Sequence, residues 1–236
     1  MSDASAPPTS ALSVLMVASE AQPYAKTGGL ADVTGALAAA LARLGHAVTL
    51  VMPRYRVVHA AGRGGRRLPL TMGGRAFEVG LVEVPHGPRE RVVLVECDEL
   101  YDREGLYGAG GQDHPDNAVR FGVLSRAALE YAVGLESPPS IVHAHDWQTG
   151  LVPVLLRTRY SADPVWRRIP SLFTIHNLAY QGVFPAETLS ALDLGSELLS
   201  IDGLEFWNQV SFLKGGINFA DTLTTVSPAY AREIRT

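Results

Sequence analysis

The chain has 236 residues, of which 47% are hydrophobic and 19% are charged. This length can bury a sizeable core, as one large α/β domain or two small ones. Twenty lysines and arginines against 24 aspartates and glutamates leave a formal charge of -4. General electrostatic attraction to nucleic acid or to an anionic membrane is therefore not expected, although a local basic cleft is still compatible with this charge.

The only cysteine is Cys97, so a disulfide framework is excluded and the cytoplasm is the expected location. No apolar run reaches the roughly 18 to 20 residues that a membrane-spanning helix needs. Met1–Ser10 is polar and lacks basic residues. We predict that it is a disordered tail and not a signal peptide, with a folded domain over residues 11–236.

A βαβ unit is predicted directly after the tail. Val14–Ala18 is a short apolar run, typical of a strand buried on both faces. Leu30–Leu44 has apolar residues at helical spacing, and Gly45 suits the end of that helix. Val48–Met52 is the next buried strand, which we expect to run parallel to the first.

The middle of the chain has a less regular pattern of apolar residues. We predict a turn over Arg63–Arg67, and two strands of one hairpin over Phe77–Val84 and Arg91–Glu96. Glycine-rich Tyr101–Gly111 is predicted to be a loop, and the spacing of apolar residues indicates a helix over Asn117–Val133.

Three further strands are predicted over Ile141–Ala144, Ser171–Ile175 and Thr222–Val226. The first is followed by a predicted helix near Trp147–Arg159, the second by a polar loop and the third by a short helix. This succession predicts an α/β fold with a doubly wound, mostly parallel, Rossmann-like sheet. In such sheets ligands bind beyond the carboxyl ends of the strands.

A lysine–glycine loop, Lys26-Thr27-Gly28-Gly29, lies between the first strand and its helix. Backbone N–H groups of paired glycines and the helix start could bind a diphosphate, with Lys26 adding a full charge. The alternative is an ordinary tight turn. The spacing fits neither G-x-x-x-x-G-K-[ST] nor G-x-G-x-x-G.

His143, His145 and Asp146 follow a later strand, and His-x-His could chelate zinc. Residues two apart on a strand share a face, whereas Asp146 would fall on the other. A hydrogen bond that the Asp146 carboxylate accepts from a sugar hydroxyl is the more economical interpretation. Trp147 could be a sugar platform, although core packing is the simpler role.

His176 and Asn177 form a polar pair after the next strand, and Asn177 could simply cap a turn. Tyr180 and Gln181 could belong to an ordinary loop, and Lys214 to a solvated helix. Each of these signals is weak alone.

Together the segments closely resemble the bacterial glycogen synthase and plant starch synthase family. The matching motifs occur in the family's order and cover nearly everything after residue 12. They are Lys-Thr-Gly-Gly-Leu-Ala-Asp-Val from Lys26, Met-Pro-Arg-Tyr from Met52, Asp-Asn-Ala-Val-Arg-Phe from Asp116, Ser-Arg-Ala-Ala-Leu-Glu from Ser125, His-Ala-His-Asp-Trp from His143, Thr-Ile-His-Asn-Leu-Ala-Tyr-Gln-Gly from Thr174, Ser-Phe-Leu-Lys-Gly-Gly from Ser211, and the closing Thr-Thr-Val-Ser-Pro-Ala-Tyr-Ala-Arg-Glu-Ile.

The resemblance implies one half of a GT-B glycosyltransferase, in which two Rossmann-like domains face each other across a cleft. The half expected here is the N-terminal, acceptor-side one, and the C-terminal nucleotide-sugar domain is absent from the chain. The implied reaction is transfer of glucose from ADP-glucose to the non-reducing end of an α-1,4-glucan, with retention. The resemblance implies neither a cofactor nor a metal. It does not decide whether the glucose donor is ADP-glucose or UDP-glucose.

The resemblance also implies site residues. Lys26 would contact the donor, with close backbone approach at Gly28 and Gly29, and His176 and Asp146 would lie at the glucosyl group. The side chain of His176 would bond a sugar hydroxyl and its backbone carbonyl would face the anomeric carbon. The remaining substrate-binding candidates are Asp32, Asn177, Tyr180, Gln181 and Lys214.

Three rival functions remain at this point. The chain alone could be a glucan-binding module that transfers nothing. A dinucleotide-dependent oxidoreductase is disfavoured because the G-x-G-x-x-G motif is missing. A metal hydrolase would need more ligands than the histidine pair supplies.

Overall fold

The computed structural model describes residues 10–60 and 62–235. The predicted tail lies outside these ranges apart from Ser10, which is exposed and outside any helix or strand. No helix in the described ranges is long and apolar enough to cross a membrane. The described strands are, in chain order, β1 (Ser13–Val17), β2 (Ala47–Pro53), β3 (Arg63–Met72), β4 (Arg75–Pro85), β5 (Glu90–Glu96), β6 (Gly108–Ala109), β7 (Gln112–Asp113), β8 (Ile141–His145), β9 (Ser171–Ile175), β10 (Val183–Phe184), β11 (Glu205–Phe206), β12 (Gln209–Ser211) and β13 (Thr222–Thr225).

Eight of these described strands form the central sheet, in the order β13-β9-β8-β1-β2-β5-β4-β3. Neighbours from β13 to β5 run parallel, whereas β4 and β3 are antiparallel additions at one edge. The chain builds from β1 to β2 on one side and later from β8 to β9 and β13 on the other. This arrangement confirms the predicted doubly wound, mostly parallel sheet. Its order reverses between β1 and β8, where such sheets bind ligands.

Helices flank the sheet and complete a shared hydrophobic core. In the described ranges they are α1 (Gly29–Arg43), α2 (Asp98–Tyr101), α3 (Asn117–Val133), α4 (Leu151–Arg157), α5 (Thr188–Ala191), α6 (Phe212–Phe219) and α7 (Pro228–Glu233), with short 3-10 turns at Trp147–Thr149, Trp166–Arg168 and Ser196–Leu198.

Helix α1 follows β1 and leads into β2, as predicted, and Gly45 ends it with a φ of 97°. Its buried face includes Leu30 from the predicted apolar spacing, and Leu37 and Leu41 pack partly buried against the core. Small side chains, Ala31, Thr34 and Ala38, are buried, whereas Leu44 is 74% exposed. Small residues let the helix backbone approach its neighbours closely, and the Thr34 hydroxyl donates to the Glu20 carbonyl at 2.7 Å.

Two regions of the middle segment differ from prediction. The predicted turn Arg63–Arg67 is wrong, because these residues begin β3, which pairs with β4. A segment rich in glycine and arginine lacks the apolar pattern of a strand. Charged side chains are nevertheless common on the exposed edge strand of a sheet. The predicted loop Tyr101–Gly111 holds the end of α2 and strand β6. The hairpin of β4 and β5 and the helix Asn117–Val133 are confirmed.

Candidate active site

A cavity of about 620 Å³ opens at the carboxyl edge of the sheet. Residues that follow β1, β8, β9 and β13 contribute to it, because parallel strands end at the same edge. Its lining consists of Glu20, Thr27, Gly28, Gly29, Leu30, Val33, Tyr107, Asp113, Asp146, Trp147, Gln148, His176, Asn177, Tyr180 and Val226.

Another hollow, of about 690 Å³, lies at the opposite edge of the sheet, where β1, β2 and β5 begin. It is larger, but none of the predicted site residues lines it. We therefore take the cavity at the carboxyl edge as the candidate site, because it gathers the residues with functional chemistry.

The glycine loop is held to the cavity wall by Glu20, which is buried at 3% exposure. The Glu20 carboxylate accepts hydrogen bonds from the backbone N–H of Thr27, from its hydroxyl at 2.6 Å, and from the hydroxyl of Tyr107. A Cβ atom added at Gly28 or Gly29 would meet nothing within 4 Å. Packing therefore leaves open space beside these glycines, which a ligand can occupy at the start of α1.

Lys26 lies beside the cavity and is not part of its lining. Its Nζ donates to both carboxylate oxygens of Asp32, at 2.7 and 2.8 Å. Their side chains are 42% and 54% exposed. An exposed pair of this kind is worth about 0.2–1 kcal/mol, so the ammonium group can exchange Asp32 for an anionic ligand at low cost.

Asp146 directly follows β8 and is nearly sealed from solvent, at 9% exposure. Its Oδ1 accepts from the backbone N–H of His176 at 2.7 Å and of Asn177 at 3.4 Å. Burial raises the pKa of Asp146 to about 6, against the lowering effect of those two N–H groups, and the Glu20 carboxylate adds to the rise. The backbone of Asp146 is left-handed, with a φ of 57°, a conformation that costs free energy and often marks a functional site.

His176 directly follows β9 and is half-buried in the cavity wall. Its Nε2 lies 3.0 Å from Nδ1 of His145, which is fully buried. Burial lowers the pKa of His176 to about 4, so the imidazole is neutral at physiological pH. A neutral imidazole has one N–H donor and one acceptor nitrogen, which suits a sugar hydroxyl.

The remaining candidates are divided between three hollows. Asn177 and the 65%-exposed Tyr180 line the cavity, and Asn177 Oδ1 also accepts from Ala179 N at 3.0 Å, as a turn-capping residue would. Gln181 lines an adjacent hollow, where its amide donates to a backbone carbonyl. Lys214 lies in a third hollow, and its Nζ donates to the Glu205 carbonyl at 2.6 Å.

The cavity thus brings together Gly28, Gly29, Asp146, His176 and two further candidates, with Lys26 and Asp32 beside it. Gln181 and Lys214 are not part of its lining. Their roles in substrate binding stay predictions.

Sequence reasoning missed Glu20 and Tyr107, which anchor the glycine loop. The two residues are 87 positions apart, so no local pattern connects them. The position of Glu20, a carboxylate just beyond a buried strand, was the one available signal. Trp147 packs against the rings of Tyr107, Phe121 and Phe184 at centroid distances of 5.1–6.4 Å, which supports the core-packing interpretation.

The histidine pair shares a face, as expected for residues two apart on a strand. The ring centroids of His143 and His145 are 4.0 Å apart, and Nε2 of His143 lies 2.7 Å from the Thr174 hydroxyl. Across residues 10–60 and 62–235, no three His, Cys, Asp or Glu side chains converge as metal ligands would.

This fold has a close counterpart in a solved structure. The catalytic domain of starch synthase IV from Arabidopsis thaliana, bound to ADP and acarbose, superposes with a TM-score of 0.86 at 33% sequence identity. The match covers 96% of this chain and 47% of the Arabidopsis chain. The fold is therefore that of one Rossmann-like half of a GT-B structure.

The particular family follows from the sequence comparisons. The model of the starch synthase catalytic domain family matches residues 13–236, and the chain belongs to that family. It is 47% identical over 234 residues to a glycogen synthase from Syntrophotalea carbinolica, covering 95% of this chain and 47% of the relative. A glycogen synthase from Myxococcus xanthus is 47% identical over 230 residues, covering 95% and 48%. The chain spans about half the length of these relatives.

Proposed function

We propose that this chain supplies one half of the active site of a glycogen synthase. The enzyme would transfer glucose from ADP-glucose to the non-reducing end of an α-1,4-glucan, with retention of configuration. The relatives named glycogen synthase support this proposal, as does the Arabidopsis structure with ADP and acarbose. The observation that carries it is one cavity lined by both a glycine loop and a neutral histidine.

The glycine loop supports binding of the donor diphosphate. Open space at Gly28 and Gly29 admits phosphate oxygens to the start of α1, where backbone N–H groups carry partial positive charge. Lys26 adds a full positive charge within the same loop. Together these groups would stabilise the negative charge that develops on the departing diphosphate.

The histidine loop supports binding of the glucosyl group. His176 would bond a sugar hydroxyl through its side chain, and its backbone carbonyl would face the anomeric carbon as positive charge develops there. Asp146 Oδ1 fixes this backbone through the His176 N–H. Positioning and electrostatic stabilisation of an oxocarbenium-like transition state would then carry the rate.

A second α/β domain would complete the site. The glycogen synthase relatives are about twice as long as this chain, and we assign most of the nucleotide contacts to their other half. The cytoplasm is the proposed location, consistent with a free, buried Cys97. The 236-residue chain alone would bind glucan or donor weakly and transfer nothing.

A chimera tests this proposal. It continues the chain with the second half of the Syntrophotalea carbinolica glycogen synthase, and glucose incorporation into glycogen is measured with ADP-glucose and, separately, UDP-glucose. We expect the chimera to transfer from ADP-glucose and the 236-residue chain alone to be inactive. A folded chimera that transfers from neither donor, beside an active parent relative, would refute the proposal.

A further inference from the structure

Three histidines pack in series beneath the cavity. His143 stacks on His145 with ring centroids 4.0 Å apart, and Nδ1 of His145 lies 3.0 Å from Nε2 of His176. His145 is fully buried, and its backbone N–H donates to the Thr149 hydroxyl at 2.7 Å. The end of β8 is thus held in place behind the cavity wall.

The contact between His145 and His176 needs one donor and one acceptor. Burial keeps the pKa of both rings well below the ordinary value, with nearby histidines adding to the effect on His145. Each ring therefore carries a single N–H at neutral pH. Either His145 donates from Nδ1, or His176 donates from Nε2.

The surroundings of His145 distinguish these two arrangements. Its other nitrogen, Nε2, is sealed from solvent and has no hydrogen-bond partner in the described part of the chain. If His176 were the donor, the one ring N–H of His145 would be on this orphaned nitrogen. Buried N–H groups without an acceptor are rare in folded proteins. If His145 is the donor, Nε2 holds only a lone pair.

We propose that His145 is a positioning residue that donates its Nδ1 proton to Nε2 of His176. His176 then carries its own proton on Nδ1, which has no partner among residues 10–60 and 62–235 and is free to bond a ligand. The ring consequently meets the ligand only as a donor. It selects a ligand oxygen that accepts, and it is locked in the less common neutral tautomer.

The tautomer is read directly by NMR. Two-bond ¹H–¹⁵N spectra of the seven histidines, recorded at neutral pH on the 236-residue chain and on the chimera, show which nitrogen of each ring is protonated. We expect His176 to be protonated on Nδ1 and His145 on Nδ1. Protonation of His176 on Nε2 overturns the proposal.

A matched pair of substitutions provides the kinetic test, which rests on the proposed function. Asn and Leu have nearly the same shape, but only His145→Asn keeps an N–H donor near the Nδ1 position. In the chimera we expect His145→Leu to lower kcat about 10²-fold through misplacement of His176, with little change in KM, and His145→Asn to stay within about tenfold of the parent.

A purely structural role predicts the opposite ranking, because a buried Leu is more stable than a buried, partly unpaired Asn. Turnover by the Leu variant equal to or above that of the Asn variant therefore overturns the proposal. An inactive parent chimera counts against the proposed function, while the NMR result still decides the tautomer.

Discussion

The two loops that line the cavity are held in opposite ways. The glycine loop is polar and exposed at Lys26, which makes an exposed ion pair with Asp32. The histidine loop is held from behind by buried groups, through Asp146 Oδ1 and the fully buried His145. One loop thus presents an exposed charge in an ion pair, and the other a neutral, fixed donor.

The difference follows from what each loop is proposed to bind. A diphosphate is highly charged and arrives with its own hydration, so a solvated lysine and open backbone N–H groups suit it. A glucosyl hydroxyl is neutral, and selecting it requires donors whose orientation is set before binding. If this contrast holds, substitutions in the histidine loop should reduce turnover more than substitutions at the exposed ion pair.

Removing the fixed donor should have the largest effect. His176→Ala in the chimera should lower kcat about 10²- to 10³-fold, because a preorganised group is lost at the reacting sugar. Circular dichroism should show the variant folded. His59→Ala, at an exposed histidine, is the matched control, and near-normal turnover of His176→Ala would reject the role of His176.

The buried histidines should make stability depend on pH. Burial lowers the pKa of His143 and of His176 to about 4, from an ordinary value of 6.5. The contribution of these neutral rings to the free energy of unfolding is complete above pH 6.5 and is lost as the pH falls towards 4. For His143 the loss is on the order of 3 kcal/mol. Asp146 opposes this trend, because its raised pKa favours folding below about pH 6.

The histidines outnumber Asp146, so the free energy of unfolding should rise between pH 4 and 6.5. Urea titrations across this range measure it. His143→Gln, which keeps an amide N–H near the Nε2 position, should flatten the rise, and the control His59→Gln should not. A free energy of unfolding that falls over the range would contradict this assignment of charge.

Loosening the anchor of the glycine loop should have an intermediate effect. In Glu20→Gln, the amide nitrogen replaces one acceptor oxygen and leaves a buried donor from Thr27 or Tyr107 unpaired. Stability should fall by about 1–3 kcal/mol, measured by urea denaturation. Thr27→Val removes only the hydroxyl and should cost about 0.5–1.5 kcal/mol. Equal stability of Glu20→Gln and the parent would show that the carboxylate does not hold the loop.

Breaking the exposed ion pair should have the smallest effect on stability. Lys26→Ala and Asp32→Ala should each change the free energy of unfolding by less than about 1 kcal/mol. Lys26→Ala should also weaken the donor interaction, raising KM of the chimera for ADP-glucose about tenfold, or about 1.4 kcal/mol. A large loss of stability in either variant would mean that this pair is structural.

The pattern of apolar residues was sufficient to predict the strands and helices whose buried residues are close together in the sequence. The unbroken apolar run Val14–Ala18 predicts a buried strand, and these residues are buried. Apolar residues at helical spacing predict a helix over Asn117–Val133, and α3 has these bounds. Arg63–Arg67 was mistaken for a turn because its strand conformation depends on pairing with β4, a long-range partner.

The candidate site could likewise be predicted from the sequence only in part. The polar loops after β1, β8 and β9 are visible in the sequence, and the sheet topology brings Gly28, Asp146 and His176 to one cavity. The contacts that hold them are not visible. Glu20 meets Tyr107, and His145 meets His176, only after the chain has folded.

The position of the nucleotide sugar can be seen in a crystal structure of the chimera with ADP-glucose. We expect diphosphate oxygens within hydrogen-bond distance of the glycine-loop N–H groups, and the glucosyl group against His176. Binding of the nucleotide sugar away from this cavity, for example in the hollow at the amino edge of the sheet, would contradict this expectation.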